Sequence, residues 1–335
     1  MEEKEERARL RFPEASDVWE ARYRIAPYVR RTPLVLSHPL SERLGAEVYL
    51  KLENLQEVGA FKIRGAANRV LSLSEEERRR GVTTYSTGNH AQAVACISGR
   101  LGVRAVVCVS DRVPKAKLDA IRRWGAELRI AGSSQDDAEA ECRRLSAAEG
   151  LVIVDPFDDP FVISGQGTIG LELLEDLPDV DTLLVPVSGG GLVSGISLAV
   201  KANRPDVPIV GLSMERGAVM HASLQAGRPV TLPESDTLAD SLLGGIGAEN
   251  RYTFELVKRH VERIVLLPEA SIARGMAFML RRQGMMVEGA AATGPGALLS
   301  GAVSLPEGSK AAVVITGNNV DPDAFLNAVK SVRGD

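Results

Sequence analysis

The stretch Lys51-Leu-Glu-Asn-Leu-Gln-Glu-Val-Gly-Ala-Phe-Lys-Ile-Arg-Gly-Ala66 changes its pattern halfway along. A strand-like run at 47–52 is followed by polar residues and Gly59, and an amphipathic segment then keeps helical spacing to about Leu73. Lys62 lies in the first turn of this predicted helix, where the helix dipole favours anions. The positive helix end and an apolar neighbour favour the neutral amine, which is the form that attacks a carbonyl. Lys62 is therefore a candidate nucleophile, although a single lysine at such a turn is more often a solvated surface residue.

The composition is that of an ordinary soluble globular protein. The chain has 335 residues, with 44% hydrophobic and 25% charged residues, and this length suggests two lobes. A net charge of -4 and 4% aromatic residues argue against a nucleic-acid partner. The charged N-terminus lacks a signal-peptide core, and no apolar run approaches the ~20 residues that span a bilayer. Cys96, Cys108 and Cys142 lack metal-ligand spacing and read as reduced thiols, so we expect a cytoplasmic protein without a membrane partner.

Strand-like and helical segments alternate along most of the chain. Between 82 and 155, β-branched runs alternate with helical segments such as 89–101 and 134–149, and a second series follows from 161 to 332. Continuous apolar strands in such an alternation are typical of parallel sheets buried on both faces. The predicted fold class is α/β, with two lobes that each contain a mainly parallel sheet flanked by helices. Ligands of such sheets bind at the ends of the strands, so we expect the site between the lobes.

A glycine-rich turn, Ser188-Gly-Gly-Gly-Leu-Val-Ser-Gly195, joins a predicted strand to a predicted helix. Backbone N–H groups at a helix N-terminus bind anions, and glycines let a phosphate approach closely. A dinucleotide site is the rival interpretation, since the glycines form a loose Gly-x-Gly-x-x-x-Gly pattern and Glu215 ends the next strand. A plain tight turn is the third. This loop alone does not decide between the three.

Two further polar turns follow predicted strands. Ser86-Thr-Gly-Asn-His90 offers hydroxyl, amide and backbone donors at a helix N-terminus, which suit a substrate carboxylate. Thr316-Gly-Asn-Asn-Val-Asp321 follows the last strand and would place a hydroxyl at the same end of the sheet. Glu288 precedes Gly289 and three alanines, whose small size allows close backbone approach. Each turn taken singly is more often a helix cap or a packing site.

Five motifs occur together in one order: Gly-Ala-Phe-Lys-Ile-Arg-Gly-Ala, Ser-Thr-Gly-Asn-His-Ala-Gln-Ala, Ser-Gly-Gly-Gly-Leu-Val-Ser-Gly, Val-Glu-Gly-Ala and Thr-Gly-Asn-Asn-Val-Asp. With them the chain resembles, over about 25–330, the pyridoxal-phosphate enzymes of the tryptophan-synthase-β fold (fold type II). Within that fold it is similar to the threonine/serine dehydratase and serine racemase group. The segment 237–254, with Asn250-Arg-Tyr252 after a glycine-rich loop, resembles the dehydratase-like protein of ectoine and hydroxyectoine utilisation. We expect a large cofactor-binding lobe at 1–53 plus 155–335, and a small substrate-side lobe at 54–154.

The resemblance assigns roles to residues of this chain. Lys62 would bind pyridoxal 5'-phosphate as a Schiff base and act as the catalytic base, and Phe61 would pack on the pyridine ring. Asn89 would donate to the ring's 3-oxygen, and Thr316 would hydrogen-bond the pyridine nitrogen. The phosphate cradle would be Ser188, Gly189, Gly190, Gly191 and Leu192, and the substrate carboxylate would be surrounded by Ser86, Thr87, Gly88 and His90.

The resemblance implies a β-elimination that converts a small β-hydroxy amino acid, such as L-threonine or L-serine, to a 2-oxo acid and ammonia. Thr87 stands where the racemase has a serine base, and this departure favours elimination over racemisation. His221 stands where the racemase has the second acidic ligand of a divalent ion, so no metal is expected. The resemblance of 242–254 to the ectoine-utilisation branch ranks hydroxyectoine-derived substrates narrowly ahead of threonine, and Arg251 could then pair with a second anionic or acyl group that threonine lacks. A racemase, a non-catalytic cofactor-binding protein and a dinucleotide oxidoreductase remain alternatives, and a homo-oligomer, dimer or tetramer, is expected.

Overall fold

The computed structural model describes residues 11–86, 88–113 and 115–332 and contains two separate sheets. The strands are β1 Leu34–Leu36, β2 Glu47–Leu52, β3 Val82–Thr84, β4 Ala105–Val109, β5 Glu127–Ile130, β6 Val152–Ile153, β7 Thr182–Pro186, β8 Ile209–Met214, β9 Arg263–Leu267 and β10 Lys310–Ile315. The helices are α1 Ala15–Ile25, α2 His38–Leu44, α3 Lys62–Leu71, α4 Glu75–Arg80, α5 Asn89–Leu101, α6 Lys115–Arg122, α7 Gln135–Glu149, α8 Pro160–Asp176, α9 Gly191–Asn203, α10 Val219–Ala226, α11 Thr253–His260, α12 Glu269–Gln283, α13 Gly289–Ser300 and α14 Pro322–Ser331.

The larger sheet has six strands in the order β1-β2-β10-β7-β8-β9. Its last strand in the chain, β10, lies between β2 and β7 and pairs with both in parallel. Only the pair at one edge, β1 with β2, is antiparallel among the described strands of this sheet. Strands β7, β8 and β10 are buried along nearly their whole length, as helices on both faces require.

The smaller sheet has four strands in the order β5-β4-β3-β6, and all of its pairs are parallel. It is built from a continuous part of the chain, whereas the larger sheet takes strands from before and after that part. The expected α/β fold with two mainly parallel sheets flanked by helices is confirmed. The lobe boundaries at 53/54 and 154/155 stay a prediction. Among the described residues, none of the helices combines the length and the hydropathy that a membrane-spanning helix requires.

Helix α3, which begins at Lys62, packs against α1, α5 and α8. Its apolar positions Ile63, Ala66 and Val70 recur at helical spacing and are buried. Gly65 lets α8 approach closely, because a Cβ there would lie 2.8 Å from the carbonyl oxygen of Val162. The structure therefore fixes this helix on three sides, and the position of its first residue with it.

Candidate functional site

The segment in front of α3 is hydrogen-bonded to the end of β10. The backbone N–H of Phe61 donates to the carbonyl oxygen of Thr316 at 3.0 Å, and Ala60 forms an isolated β-bridge with Gly317. Lys62 is therefore held beside the carboxyl end of β10, at the strand ends where open parallel sheets bind ligands. Lys62 and Thr316 therefore lie at the same end of the sheet, as we expected from the sequence.

The amine of Lys62 donates a hydrogen bond of 2.7 Å to the carbonyl oxygen of Pro156. The residue as a whole is partly exposed, but protein atoms surround its amine, and Nζ lies 5.3 Å from the ring centroid of Phe61. Burial lowers the pKa of Lys62 to about 8, although the carboxylates of Asp155 and Glu288 act in the opposite direction. A substantial neutral fraction near neutral pH makes this amine a usable nucleophile and base.

The glycine turn at the start of α9 is packed against Phe157, the residue that follows Pro156. A Cβ on Gly189 would lie 2.4 Å from the Phe157 ring, and one on Gly191 would lie 2.8 Å from its carbonyl oxygen. Gly190 has a φ of 89°, in the left-handed region that favours glycine. The first N–H groups of α9 have no partner within the helix, so the turn can accept a phosphate.

Pro156 and Phe157 connect the candidate lysine to this cradle. The carbonyl of Pro156 accepts the hydrogen bond from Lys62, and the next residue covers the glycines. Ser188 and Leu192, the outer residues of the predicted cradle, end the turn on either side, and Leu192 is 7% exposed. A phosphate bound by the turn would therefore lie close to the lysine amine.

Asn89 is the first residue of α5 and lies in a network of neutral amides around one carboxyl group. Its Nδ2 donates to Oε2 of Glu288 at 2.9 Å and to Oε1 at 3.2 Å, and its Oδ1 accepts from Nδ2 of Asn319 at 2.7 Å. The hydroxyl of Thr316 lies 3.5 Å from Oε1 of Glu288. The network brings together Asn89 and Thr316, which the resemblance assigned to the 3-oxygen and to the nitrogen of the cofactor ring.

Burial is the largest cause of the pKa of Glu288 being raised to about 7, and the hydrogen bond from Asn89 opposes the shift. Glu288 is 2% exposed. Sequence reasoning noted Glu288 as the start of a run of small residues and within the motif Val-Glu-Gly-Ala, and it gave no site role to Glu288 or to Asn319. The sequence did contain a signal for a buried carboxyl group, namely an acidic residue directly before an apolar, alanine-rich helix. Such a helix is buried, and the residue at its N-terminus is then buried as well.

The substrate side of the site is only partly described, since Thr87 lies outside the described residues. Ser86 Oγ accepts from the N–H of Gly88 at 3.4 Å, and a Cβ on Gly88 would meet no atom within 4 Å. There is thus open space in front of the first turn of α5, where a carboxylate would bind.

The His90 ring faces the protein. Its Nε2 lies 3.0 Å from the carbonyl oxygen of Val154, and a carbonyl only accepts, so Nε2 carries the hydrogen. Burial, together with the charge of Lys62, lowers the pKa of His90 to about 3 and keeps the ring neutral. Its Nδ1 then has no hydrogen to offer a carboxylate. The predicted contact of His90 with the substrate is left to its backbone N–H.

Within the segment that resembles the ectoine-utilisation branch, two residues of the triplet Asn250-Arg-Tyr252 have structural roles. Asn250 Oδ1 accepts from the N–H of Phe254 in the first turn of α11 at 2.9 Å, and the Tyr252 ring packs edge-on against Phe12 at 5.6 Å. Arg251 is exposed, and its N–H donates to Asp158 at 2.6 Å. The pairing of Arg251 with a substrate group stays a prediction.

Comparisons with known proteins agree with this geometry. The model of a family described as pyridoxal-phosphate dependent enzyme matches residues 25–317. An L-threonine ammonia-lyase of Thermotoga maritima is 44% identical over 322 residues, covering 95% of this chain and 79% of that protein. Among solved structures, a threonine deaminase from T.th. has 36% identity and a TM-score of 0.84, over 92% of this chain and 99% of that one. Maize serine racemase has 33% identity and a TM-score of 0.90, over 96% and 98%.

These matches decide the question that the glycine turn left open. A family that uses pyridoxal phosphate covers both the turn and Lys62, which excludes the dinucleotide interpretation. The fold does not separate the deaminase from the racemase, because both structures match this chain with high TM-scores, 0.84 and 0.90. The sequence is more similar to the ammonia-lyase, at 44% against 33%.

Proposed function

The chain belongs to the pyridoxal-phosphate dependent enzyme family, and from this premise we propose that it is a threonine/serine ammonia-lyase. In this reaction the Cα proton is removed, the Cβ–O bond breaks and the hydroxyl leaves as water. A second water then replaces the nitrogen, which leaves as ammonia, so L-threonine gives 2-oxobutanoate and L-serine gives pyruvate. The names of the Thermotoga relative and of the T.th. deaminase structure support this reaction.

The residues of the site fit the cofactor. The N-terminus of α9 offers N–H groups to the phosphate, and a Cβ at Gly189 or Gly191 would collide with Phe157. Lys62 would carry the cofactor, with Phe61 against the ring and Asn89 and Thr316 at its polar edges. The observation that carries the proposal is the link through Pro156 and Phe157, which joins the amine of Lys62 to the glycine cradle.

Lys62 would hold and move the proton of the substrate Cα. When bound, the cofactor supplies a conjugated ring that takes up the negative charge left at Cα. A base for this step must be neutral before it acts, and the pKa of Lys62, lowered to about 8 chiefly by burial, meets that need. The Pro156 carbonyl, which accepts from the amine, orients it in the free enzyme.

The hydroxyl of Thr316 supports elimination over transamination. Thr316 is buried, and a hydroxyl cannot keep a pyridine nitrogen protonated as a carboxylate would. The negative charge is then less fully delocalised, which favours prompt loss of the β-hydroxyl. The position of Thr87 in the sequence argues in the same direction, because its extra methyl group restricts a base on the second face.

The substrate panel that tests the proposal contains L-threonine, L-serine, 3-hydroxyaspartate and the hydrolysis products of hydroxyectoine. We expect 2-oxo acid from threonine or serine with a kcat/KM of ~10⁴ M⁻¹s⁻¹ or more, and none from Lys62→Ala. No 2-oxo acid from any member would refute the proposal. Turnover of the hydroxyectoine products alone would contradict the expected threonine or serine activity and would support the substrate ranking drawn from the sequence.

Chiral chromatography of the serine reaction tests the racemase alternative, which the similarity to maize serine racemase favours. Pyruvate should form well ahead of D-serine. D-serine at a comparable rate would contradict this expectation.

Light scattering of the same preparation tests the expected dimer or tetramer, and cell fractionation tests the expected cytoplasmic location.

A further inference from the structure

The side-chain amide of Asn319 joins three segments that carry predicted cofactor residues. Its Nδ2 donates to the carbonyl oxygen of Val58 at 2.8 Å and to Oδ1 of Asn89 at 2.7 Å. Val58 lies just before the Lys62 segment, Asn89 begins α5, and Asn319 follows β10 on the same loop as Thr316. One amide group therefore links three segments: the segment that leads to Lys62, the start of α5 with Asn89, and the loop that follows Thr316.

The closeness of these segments depends on Gly59. Its φ is 71°, and a Cβ there would lie 2.4 Å from Oδ1 of Asn318 and 3.0 Å from Oδ1 of Asn319. Only a residue without a side chain leaves room for both asparagines against this turn. Because residue 59 has no side chain, the turn lies close enough for Asn319 to contact both Val58 and Asn89.

Asn319 and Glu288 select the same orientation of the Asn89 amide. Asn319 presents an N–H to Oδ1 of Asn89, and Glu288 presents carboxyl oxygens to Nδ2. If the Asn89 amide were flipped, its N–H groups would face the N–H of Asn319, and its Oδ1 would face the carboxyl oxygens of Glu288. Both contacts of Nδ2 go to the oxygens of one carboxyl group, at 2.9 and 3.2 Å, so one N–H shared between these oxygens leaves the second N–H for a ligand.

We propose that Asn319 is a positioning residue, which orients the Asn89 amide so that Nδ2 rather than Oδ1 faces the ring oxygen of the cofactor. The inference rests on the proposed function, because it presupposes a cofactor whose ring oxygen Asn89 binds. A flipped or freely rotating amide would place a carbonyl oxygen against an anionic oxygen for part of the time. Asn319 itself touches neither cofactor nor substrate in this scheme.

The test replaces the donor by an acceptor of nearly the same shape. Asn319→Asp sets a carboxylate against Oδ1 of Asn89 and the carbonyl of Val58, and the matched control is Asn318→Asp. Asn318 lies one residue away, and its side chain makes no hydrogen bond with any residue the structure describes. Pyridoxal phosphate is titrated into the cofactor-free variants, and the affinity and the absorption maximum of the bound form are measured.

We expect Asn319→Asp to bind pyridoxal phosphate about tenfold more weakly, a change of ~1.4 kcal/mol, with a shifted absorption maximum. The control should match the wild type, and the melting temperatures of both variants should stay within a few degrees of it. Unchanged affinity and absorption in Asn319→Asp, or an equal loss in the control, would overturn the proposal.

A double-mutant cycle with Asn89→Ala shows whether Asn319 acts through Asn89. In that background Asn319→Asp should change the affinity by less than about twofold, because the amide it orients is gone. A full tenfold effect there would show that Asn319 acts by another route and would overturn the inference. A wild-type protein that binds no pyridoxal phosphate would instead refute the proposed function.

Discussion

Two buried polar clusters adjoin the Lys62 segment, and their charges are balanced differently. In the first, Arg64 binds Glu53 and Glu172 at 2.7 Å each, and Lys51 binds Glu172 at 2.6 Å, so two cations face two carboxylates. In the second, the hydrogen-bond partners described for the Glu288 carboxyl group are neutral amide and hydroxyl groups. Both clusters are shielded from water, so the pKa of each carboxyl group depends on whether a cation is hydrogen-bonded to it.

The pKa values of the two carboxyl groups show the consequence. Burial alone would raise the pKa of Glu53, but the charge and hydrogen bonds of Arg64 hold it below its ordinary value. Among the described residues no cation is hydrogen-bonded to Glu288, and burial raises its pKa to about 7 even though the charge of Lys62 lies nearby. The first cluster is complete within the protein and anchors α3. The second has a carboxyl group with neutral hydrogen-bond partners, and it lies where Asn89 and Thr316 meet.

Breaking the balanced cluster should have the largest effect. Arg64→Met leaves two buried carboxylates with one cation, and removal of one partner of a buried pair costs about 3–5 kcal/mol. The free energy of unfolding from urea titration should fall by that amount. The matched control is Arg104→Met, since Arg104 also binds two carboxylates, Glu127 at 2.9 Å and Glu149 at 2.7 Å, but is 42% exposed.

The control variant should lose only ~0.2–1 kcal/mol, the usual value of exposed ion pairs. Equal losses in Arg64→Met and Arg104→Met would show that the buried cluster does not anchor α3 as described. A more stable Arg64→Met would contradict the comparison outright.

The unbalanced cluster should reveal itself through pH. A carboxyl group with a raised pKa destabilises the fold when it ionises, so its contribution is favourable below its ordinary pKa near 4.5 and is lost as pH rises towards about 7. Glu288→Gln removes this loss. In the cofactor-free protein, the stability of the variant relative to wild type should increase between pH 4.5 and 7 by up to ~1 kcal/mol per pH unit and level off above.

The exposed carboxylate Glu307 supplies the control for this measurement. Glu307→Gln should show a flat difference from wild type across the same pH range. A flat difference for Glu288→Gln as well would mean that its carboxyl group ionises normally, and the contrast between the clusters would be lost.

A smaller effect is expected in the rate at which the cofactor-free protein takes up pyridoxal phosphate. Attachment requires the neutral amine of Lys62, whose pKa is lowered to about 8, chiefly by burial. The rate, followed by absorbance, should rise about fivefold from pH 7 to 8 and less than about twofold from pH 8 to 9.5. The reaction of Nα-acetyl-lysine with pyridoxal phosphate in the same buffers should become faster up to about pH 10. If the rate of the enzyme also rose to pH 10, the lowered pKa of Lys62 would be contradicted.

The sequence predicted the parts of this arrangement that depend on local pattern. Alternating apolar runs and helical segments indicate two parallel sheets, and turns such as 86–90, 188–195 and 316–321 indicate where strands end. The motif around Lys62 indicates which lysine would bind the cofactor. These features are local because strand, turn and helix starts are set by neighbouring residues.

The partners of these residues could not be predicted, because they are distant in sequence. Glu288 bonds to Asn89 across 199 residues, and Asn319 to Asn89 across 230. Asp158 holds the N–H groups at the start of α11 from 93 to 95 residues away. Such pairs arise only when the two sheets are assembled, so the tautomer of His90 and the orientation of the Asn89 amide required the structure.

The central claim is that Lys62 holds the cofactor, with its amine beside the glycine cradle. The direct measurement is borohydride reduction of the purified enzyme followed by proteolysis and mass spectrometry of the peptides. The account predicts loss of the visible absorption band and a pyridoxyl group on Lys62 and on no other lysine. A pyridoxyl group on a different lysine, or on none, would contradict it.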